Sequence, residues 1–250
     1  MQTVETRAQR PSAVLALDTS RARKSRILRL LPEPCPRLLD VGCGPLTQGY
    51  PYAERAGHVT AVDWVLKVVE PLPANVTALH CDFTKEDPQG RDFDAIIAGD
   101  VFEHVLLEDE PVFARRCAEL LRPGGTLIVS VPHAGRFAWL DPYGIKPGLE
   151  RMAQRLGASR RLHNGTCDIR KGHRHYTIDE LTAAFPDLRP VAIERWGRLY
   201  EPLSAWALSL EKRGLPIPLR GRLAAGLHRE AETDQGDDAY SLAIAFRKPE

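Results

Sequence analysis

The sequence lacks several features that would point to particular classes of protein. No apolar run approaches the roughly 18 residues that a membrane-spanning helix needs, and the first dozen residues have no apolar stretch typical of a signal peptide. Neither sign of charge is in excess, because 34 lysines and arginines face 33 aspartates and glutamates. This balance disfavours long nucleic acid as a partner. We therefore expect a cytoplasmic protein with at most peripheral contact to a membrane.

Paired cysteines are also missing. The five cysteines are odd in number and contain no Cys-x-x-Cys pair, which disfavours a disulfide framework or a zinc module and favours reduced thiols. The chain of 250 residues is long enough to bury the core of one medium-sized domain. A monomer or a homodimer is expected.

Short apolar segments alternate with helix-like segments over the first half of the chain. Strands are predicted at 37–41, 58–63, 75–82, 93–100 and 125–132. Helices are predicted at 18–31 and 110–121. Such alternation indicates βαβ units, so we expect an α/β fold with a doubly wound, mostly parallel sheet and helices on both faces. The basic residues of the first helix are interpreted as a solvated face: Arg21, Arg23, Lys24, Arg26 and Arg29.

The second half of the chain is predicted to complete the same domain and to carry two insertions. Two further strands, at 188–196 and 239–248, bring the sheet to seven. The expected organisation is a flexible N-terminus (1–17), a core (18–132), a lid or substrate insertion (133–176) and a C-terminal completion of the sheet (177–250) with a second insertion at 197–236. Within the latter, a helix at 201–212 and the following Leu-Pro-Ile-Pro-Leu stretch suit lid core, a dimer contact or a membrane contact.

The stretch LLDVGCGPLT, residues 38–47, joins the end of a buried strand to two glycines. Gly42 and Gly44 let the backbone approach a ligand and present N–H groups at a helix start. Acids end four successive strands and should meet at one edge of the sheet: Asp40, Asp63, Asp82 and Asp100.

The chemistry of this edge distinguishes two nucleotide ligands. A dinucleotide site needs the third glycine of Gly-x-Gly-x-x-Gly, where this chain has Thr47. Asp63, 19 residues after Gly44, is placed to accept hydrogen bonds from ribose hydroxyls. Four carboxylates would repel a diphosphate but suit a cationic ligand that carries an amine, a ribose and an adenine. S-adenosylmethionine is therefore favoured over NAD.

With these motifs the chain resembles the class I S-adenosylmethionine-dependent methyltransferases. The resemblance covers about residues 20–132 through LLDVGCG, VTAVDW, HCDF, FDAIIAGDVFEHV and LLRPGGTLIVSVPH, and it implies a Rossmann-like fold. It implies that the methionine part of S-adenosylmethionine lies at the glycine loop and that Asp63 contacts the ribose. It also implies that Asp82, Phe83 and Trp64 contact the adenine. Pro45 and Leu46 depart from the family's usual Thr-Gly. The full predicted cofactor set is Asp40, Gly42, Cys43, Gly44, Asp63, Trp64, Asp82, Phe83 and Asp100.

Methyl transfer to an alcohol also needs a group that takes a proton. In a helical turn, Asp100, Glu103 and His104 would share one face, so we predict that His104 is the general base and that Glu103 orients it. His133, directly after the fifth strand, and His173 in the lid are the other candidates. His104 packed under the lid without a catalytic role is the alternative.

A metal site is a less favoured hypothesis. Asp100, Glu103, His104 and His173 are similar to the ligand set of metal-dependent small-RNA 2′-O-methyltransferases and some ubiquinone-pathway O-methyltransferases, although Asp100 stands where those families carry glutamate. Our prediction is no resident metal.

The sequence thus predicts a methyltransferase that acts on a small-molecule acceptor, foremost a hydroxyl of a sugar, a glycan precursor or a natural product. Metal-assisted methylation of an RNA terminus, or of a catechol-like ring or quinone precursor, is one alternative. A non-catalytic nucleotide-binding scaffold is another, and an NAD-dependent dehydrogenase is the third.

Overall fold

A computed structural model describes residues 17–142 and 174–250. Its main element is a seven-stranded sheet in which five neighbouring strands run parallel and the last two pairings are antiparallel. The predicted fold class is therefore confirmed. The predicted flexible N-terminus, apart from Leu17, and most of the predicted lid lie outside the described residues.

The strands and helices are numbered here in chain order. The strands are β1 Arg37–Val41, β2 Pro45–Leu46, β3 His58–Asp63, β4 Lys67–Val68, β5 Val76–His80, β6 Phe93–Gly99, β7 Leu121–Pro132, β8 Arg189–Trp196 and β9 Ser241–Arg247. The helices are α1 Ser20–Leu30, α2 Glu110–Leu120, α3 Ile178–Ala183, α4 Tyr200–Glu211 and α5 Arg220–Glu232. The order across the sheet is β5-β3-β1-β6-β7-β9-β8, and β2 pairs only with β4.

Alternating side chains of the central strands build two cores, one on each face of the sheet. Leu39 and Ile96 belong to the core beneath α2 and α3, whereas Leu38 and Ile97 belong to the core beneath α1. Successive strand residues point to opposite faces, so a fully apolar strand fills both cores at once. This burial fixes the central strands and brings their carboxyl ends to one edge.

The connections beside the glycine loop differ from the prediction. No helix starts at this loop: between β1 and β3 the chain forms only β2 and turns, and between β3 and β5 only β4 and turns. Closely spaced prolines and glycines explain this, because Pro45, Gly49, Pro51 and Gly57 leave no uninterrupted stretch for a helix. The loop N–H groups therefore do not open a helix.

The basic face of α1 also differs from the prediction. Arg26 is buried at 4% exposure and pairs with Glu194 of β8, so it is not solvated. Its guanidinium also donates to the carbonyl oxygens of Ala231 and Thr233, 2.7 and 3.2 Å away. α1 is thus held to the C-terminal half of the domain by a buried cation.

The predicted second insertion contains α4 and α5, which pack on each other. Ala207 of α4 and Ala224 and Leu227 of α5 form a small core with Leu17. Among the described helices none has the length and apolar character to cross a membrane. Cys35, Cys43, Cys81 and Cys117 are free thiols, and Cys167 lies outside the described residues.

Candidate active site at the carboxyl edge of the sheet

The glycine loop folds tightly against the end of β3. The N–H groups of Gly42 and Cys43 both donate to the carbonyl oxygen of Val62, over 2.8 and 3.1 Å. Gly42 and Gly44 have φ angles of +70° and +64°, in the left-handed region that favours glycine. A Cβ atom on Gly42 would lie 2.2 Å from Cγ2 of Val101, so any side chain at this position would force Val101 to move.

Asp63 links the loop to β3 through both of its carboxylate oxygens. Oδ2 accepts the N–H of Gly44 at 2.9 Å, and Oδ1 accepts the N–H of Val65 at 2.8 Å. Each carboxylate oxygen has two lone pairs, so both keep capacity for a further donor. The carboxylate is therefore held in place at the end of β3 and can still accept further hydrogen bonds.

A cavity of about 470 Å³, called here the main cavity, opens at this edge. Trp64 forms an exposed part of its wall, with 57% of its surface accessible, and Phe83 forms a buried part that packs on Phe113. The volume lies within the range of small-molecule sites. The lining residues are Val41, Gly42, Val62, Asp63, Trp64, Cys81, Asp82, Phe83, Thr84, Lys85, Asp100, Val101, His104, Val105, Leu106, Asp109 and Phe113.

Asp82 lines the main cavity in an ionised state. Oδ1 accepts from the N–H and the hydroxyl of Thr84 at 3.1 and 2.7 Å, and Oδ2 accepts from Nζ of Lys85 at 2.7 Å. Desolvation alone would raise the pKa of Asp82, but the hydrogen bonds from Lys85 and Thr84 outweigh it and lower the pKa.

Asp40 and Cys43 lie on a separate, smaller cavity. This side cavity of about 80 Å³ is also lined by Gly42, Arg23 and Lys24, and Gly42 borders both cavities. The hydroxyl of Tyr50 donates to Asp40. Burial raises the pKa of Asp40 to about 7, against the lowering effects of that hydrogen bond and of Arg23. The predicted cofactor residues are therefore divided between two cavities.

Asp100 is paired with a cation from α1. Its carboxylate accepts from Arg23 and, over 2.9 Å, from the hydroxyl of Ser130. Burial alone would lower the pKa of Arg23, but the charge of Asp100 outweighs it and raises the pKa. The edge thus holds the four predicted acids, yet burial raises the pKa of Asp40 to about 7, so about half of it is protonated at that pH, and Asp82 and Asp100 have cationic partners. A bare ring of negative charge was the wrong expectation.

The predicted helical face at residues 100–104 does not form. Asp100 has φ +55°, and only Phe102–His104 turn, as one 3-10 turn. Nε2 of His104 lies 3.8 Å from Oε1 of Glu103, beyond hydrogen-bond distance. Burial, together with the charge of Asp100, raises the pKa of Glu103 well above its ordinary value. His104 lines the main cavity beside a carboxyl group whose charged form is disfavoured by burial.

The four metal ligands considered in the sequence are not brought together in the part of the chain that the structure describes. Residues 17–142 and 174–250 contain no group of three or more metal-ligating side chains. Asp100 is engaged by Arg23, and His173 lies outside the described residues. The described members of that ligand set thus do not fit a metal.

His133 and His175 form a second cluster at the end of β7. Nδ1 of His133 lies 3.0 Å from the carbonyl oxygen of Ala239, so this nitrogen carries a hydrogen and Nε2 is the proton-accepting atom of the neutral ring. The nitrogens of His175 lie 2.9 Å from the carbonyl oxygen of His133 and 3.1 Å from Oδ2 of Asp141. This cluster does not line the main cavity.

Three residues of this edge were missed in the sequence. Arg23 was assigned to a solvated surface, Asp141 follows no strand, and Glu201 lies in a helix far along the chain. Glu201 is buried, accepts from the hydroxyl of Ser241 at 2.9 Å, and has its pKa raised to about 8 by burial. Spacing gave no signal for these residues, because each reaches the edge only through tertiary packing.

Comparison with protein families assigns residues 15–188 to a family described as "Methyltransferase domain". The chain is 32% identical over 188 residues to a ubiquinone biosynthesis O-methyltransferase of Bradyrhizobium diazoefficiens, which covers 69% of this chain and 66% of the relative. It is 31% identical over 191 residues to the protein of the same name from Cereibacter sphaeroides, covering 72% and 70%. The chain thus spans about two thirds of the length of these relatives.

Solved structures agree in fold. The N-methyltransferase NodS of Bradyrhizobium japonicum with S-adenosylhomocysteine has a TM-score of 0.52 at 14% identity and covers 93% of this chain and 88% of its own. The 1,6-didemethyltoxoflavin N1-methyltransferase of Burkholderia thailandensis has a TM-score of 0.55 at 18% identity, with 93% and 79% coverage. With the family match, the edge geometry and the fold in agreement, the chain belongs to the class I S-adenosylmethionine-dependent methyltransferases.

Proposed function

We propose that this chain transfers the methyl group of S-adenosylmethionine to a hydroxyl group of a small-molecule acceptor. The observation that carries the proposal is the fixed carboxylate of Asp63, which is bonded to the glycine loop and faces the main cavity. A donor site needs such a carboxylate for the two ribose hydroxyls.

The two cavities suit the two ends of the donor. Asp63, Asp82 and Phe83 line the main cavity, where the ribose and the adenine would lie. Arg23 and Lys24 line the side cavity, where the donor's carboxylate would meet positive charge. Gly42 borders both cavities, so the sulfonium would pass the loop there.

The chemical step requires alignment more than covalent help. The acceptor oxygen attacks the methyl carbon in line with the sulfur, the carbon–sulfur bond breaks, and its electron pair neutralises the sulfonium. The acceptor proton passes to a ring nitrogen of His104, which lines the main cavity. Burial disfavours the charged form of Glu103, whose Oε1 lies 3.8 Å from that ring. Positioning alone supplies roughly 7–11 kcal/mol in well-aligned reactions.

The names of the relatives favour a ring hydroxyl of a quinone precursor as the acceptor. The sugar or glycan acceptor expected from the sequence gains no support from any contact of the described residues. Trp64, Leu106 and Val105 give the main cavity an apolar wall that suits an aromatic ring.

Calorimetric titration tests the donor site, with S-adenosylhomocysteine and NAD as ligands. The proposal expects S-adenosylhomocysteine to bind and NAD to bind more weakly. A methylation assay with labelled donor, run on catechol-like and sugar acceptors with and without a chelator, then tests the reaction. His104→Gln should lower turnover and leave the affinity for S-adenosylhomocysteine within about twofold. Binding of S-adenosylhomocysteine without turnover of any acceptor would favour a non-catalytic scaffold, and absence of binding would overturn the proposal.

A further inference from the structure

The loop between α4 and α5 exposes apolar side chains among cations. Leu210, Leu215 and Leu219 are 40%, 51% and 64% exposed and lie within one short stretch of the sequence. Lys212, Arg213 and Arg222 are exposed between and beside them. These six residues are called here the α4–α5 surface.

Backbone hydrogen bonds define the turn that carries this surface. The turn after α4 contains Gly214, whose φ is +77° and whose N–H donates to the carbonyl oxygen of Glu211 at 2.9 Å. The N–H of Leu215 donates back to the carbonyl oxygen of Leu210 at 3.2 Å, which brings these two leucines together. Ile217 packs into the small core beneath α4 and α5 while Leu215 and Leu219 point outward. The outward leucines are therefore presented by a defined backbone.

Leu219 is a poor residue for this position if folding alone is considered. Its φ of +60° lies in the left-handed region, which costs a side chain such as leucine stability. It also occupies the N-cap of α5 without a side-chain hydrogen bond, where asparagine, aspartate or serine would satisfy a free N–H. Its side chain recovers little by packing, because most of it is exposed. Backbone conformation, capping and packing within the described residues thus all fail to favour leucine at this position.

The charges around the leucines identify the contact. Among residues 210–222 the acidic side chain is Glu211, which pairs with Arg220 over 3.4 Å. Arg213 donates to the carbonyl and hydroxyl oxygens of Ser209. Lys212 and Arg222 have no carboxylate partner within the described chain. Exposed leucines surrounded by unneutralised cations complement a surface with an apolar interior and an anionic outer layer, as in a bilayer of anionic lipids.

We propose that the α4–α5 surface docks the protein on anionic lipid bilayers, with Leu215 and Leu219 inserted at the headgroup level and Lys212, Arg213 and Arg222 on the lipid phosphates. α4 begins directly after the carboxyl end of β8, so this helix, about 18 Å long, connects the docking surface to the edge that carries the main cavity. The inference does not depend on the proposed acceptor or on catalysis.

Vesicle co-sedimentation of the full chain tests the docking. The probes are vesicles of phosphatidylcholine alone and of phosphatidylcholine with phosphatidylglycerol, at low and high salt. The wild type should bind the anionic vesicles and lose binding as salt screens the cations. Lys212→Gln with Arg222→Gln should weaken binding about 25-fold, at about fivefold for each removed cation. Leu215→Glu with Leu219→Glu should weaken it at least about tenfold.

Matched controls lie on the exposed edge strand β8 and its neighbour. Val191→Glu with Ile193→Glu introduces the same two charges. The side chains that they replace are 54% and 44% exposed, similar to the leucines of the α4–α5 surface. Arg189→Gln with Arg247→Gln removes two exposed cations elsewhere. Both control pairs should bind anionic vesicles as the wild type does, within about twofold.

Leu219→Asn separates docking from folding. Asparagine tolerates the left-handed conformation and caps α5, so the unfolding midpoint should rise by about 2–4 °C while binding to anionic vesicles falls. A lower midpoint would show that Leu219 serves the fold and would overturn the argument from strain. Absence of wild-type binding to anionic vesicles, equal binding by all variants, or self-association that the glutamate pair abolishes without any vesicle binding would overturn the proposal.

Discussion

The backbone N–H of Gly44 donates a hydrogen bond of 2.9 Å to Oδ2 of Asp63, and this contact joins the glycine loop to the end of β3. The other oxygen of the same carboxylate accepts the N–H of Val65. An asparagine at position 63 has one accepting oxygen, so one of the two N–H groups would lose its partner. The loop and the proposed ribose site would then loosen together.

We therefore predict that Asp63→Asn weakens binding of S-adenosylhomocysteine about tenfold or more and lowers the free energy of unfolding by about 1 kcal/mol. Titration calorimetry and urea denaturation measure the two effects. Glu70→Gln is the matched control, because Glu70 also accepts a backbone N–H, that of Gln48 at 3.0 Å, but does not line the main cavity. Equal losses of affinity in both variants would contradict a ribose contact by Asp63.

The two loop glycines should respond differently to alanine. Both have positive φ angles, so each substitution strains the backbone by about 1 kcal/mol. Gly42→Ala adds a clash with Val101, whereas a Cβ on Gly44 meets no atom within 4 Å. We expect Gly42→Ala to cost about 2–4 kcal/mol of stability and Gly44→Ala about 1 kcal/mol. Gly42→Ala with Val101→Ala should recover part of the loss, and no recovery would show that the clash is not its cause.

Asp40 should make stability fall as the pH rises. Its pKa is about 7 in the folded protein because of burial, whereas an unfolded aspartate titrates near 4. Between these values the folded state holds a proton that the unfolded state has released, so the free energy of unfolding decreases with pH across this window. Relative to Asp40→Asn, the wild type should have lost about 1–1.5 kcal/mol of stability by pH 5 and up to about 4 kcal/mol by pH 8.5.

Glu180 provides a control of opposite sign for that experiment. The N–H and hydroxyl of Thr177 lower the pKa of Glu180, so its contribution to stability is present at neutral pH and is lost on acidification. Glu180→Gln should be less stable than the wild type at pH 7, and the difference should vanish in acid. A stability difference for Asp40→Asn that does not change with pH would contradict the burial argument.

The strands and the family were predictable because both depend on residues that are close together in the sequence. Apolar runs such as residues 93–99 fill both cores of a parallel sheet, and the acids that follow them reach one edge by topology alone. Arg23, Asp141 and Glu201 were not predictable, since each arrives from an element whose docking depends on the whole fold. The charge of the edge was misjudged for two reasons. Arg23 reaches Asp100 from α1 only through the fold, whereas Thr84 and Lys85 follow Asp82 closely in the sequence and their hydrogen bonds to it were overlooked.

The two arginines that share Glu194 test how much the buried contacts of α1 contribute. Arg26 and Arg29 both approach Oε2 of Glu194, but their side chains are 5% and 49% exposed. Arg26→Gln removes a buried cation together with its bonds to the carbonyl oxygens of Ala231 and Thr233, and should cost about 2–3 kcal/mol. Arg29→Gln removes a solvent-screened pair and should cost less than about 0.5 kcal/mol. Urea denaturation of the two variants measures this difference, and equal costs would mean that α1 is not held to β8 through its buried arginine.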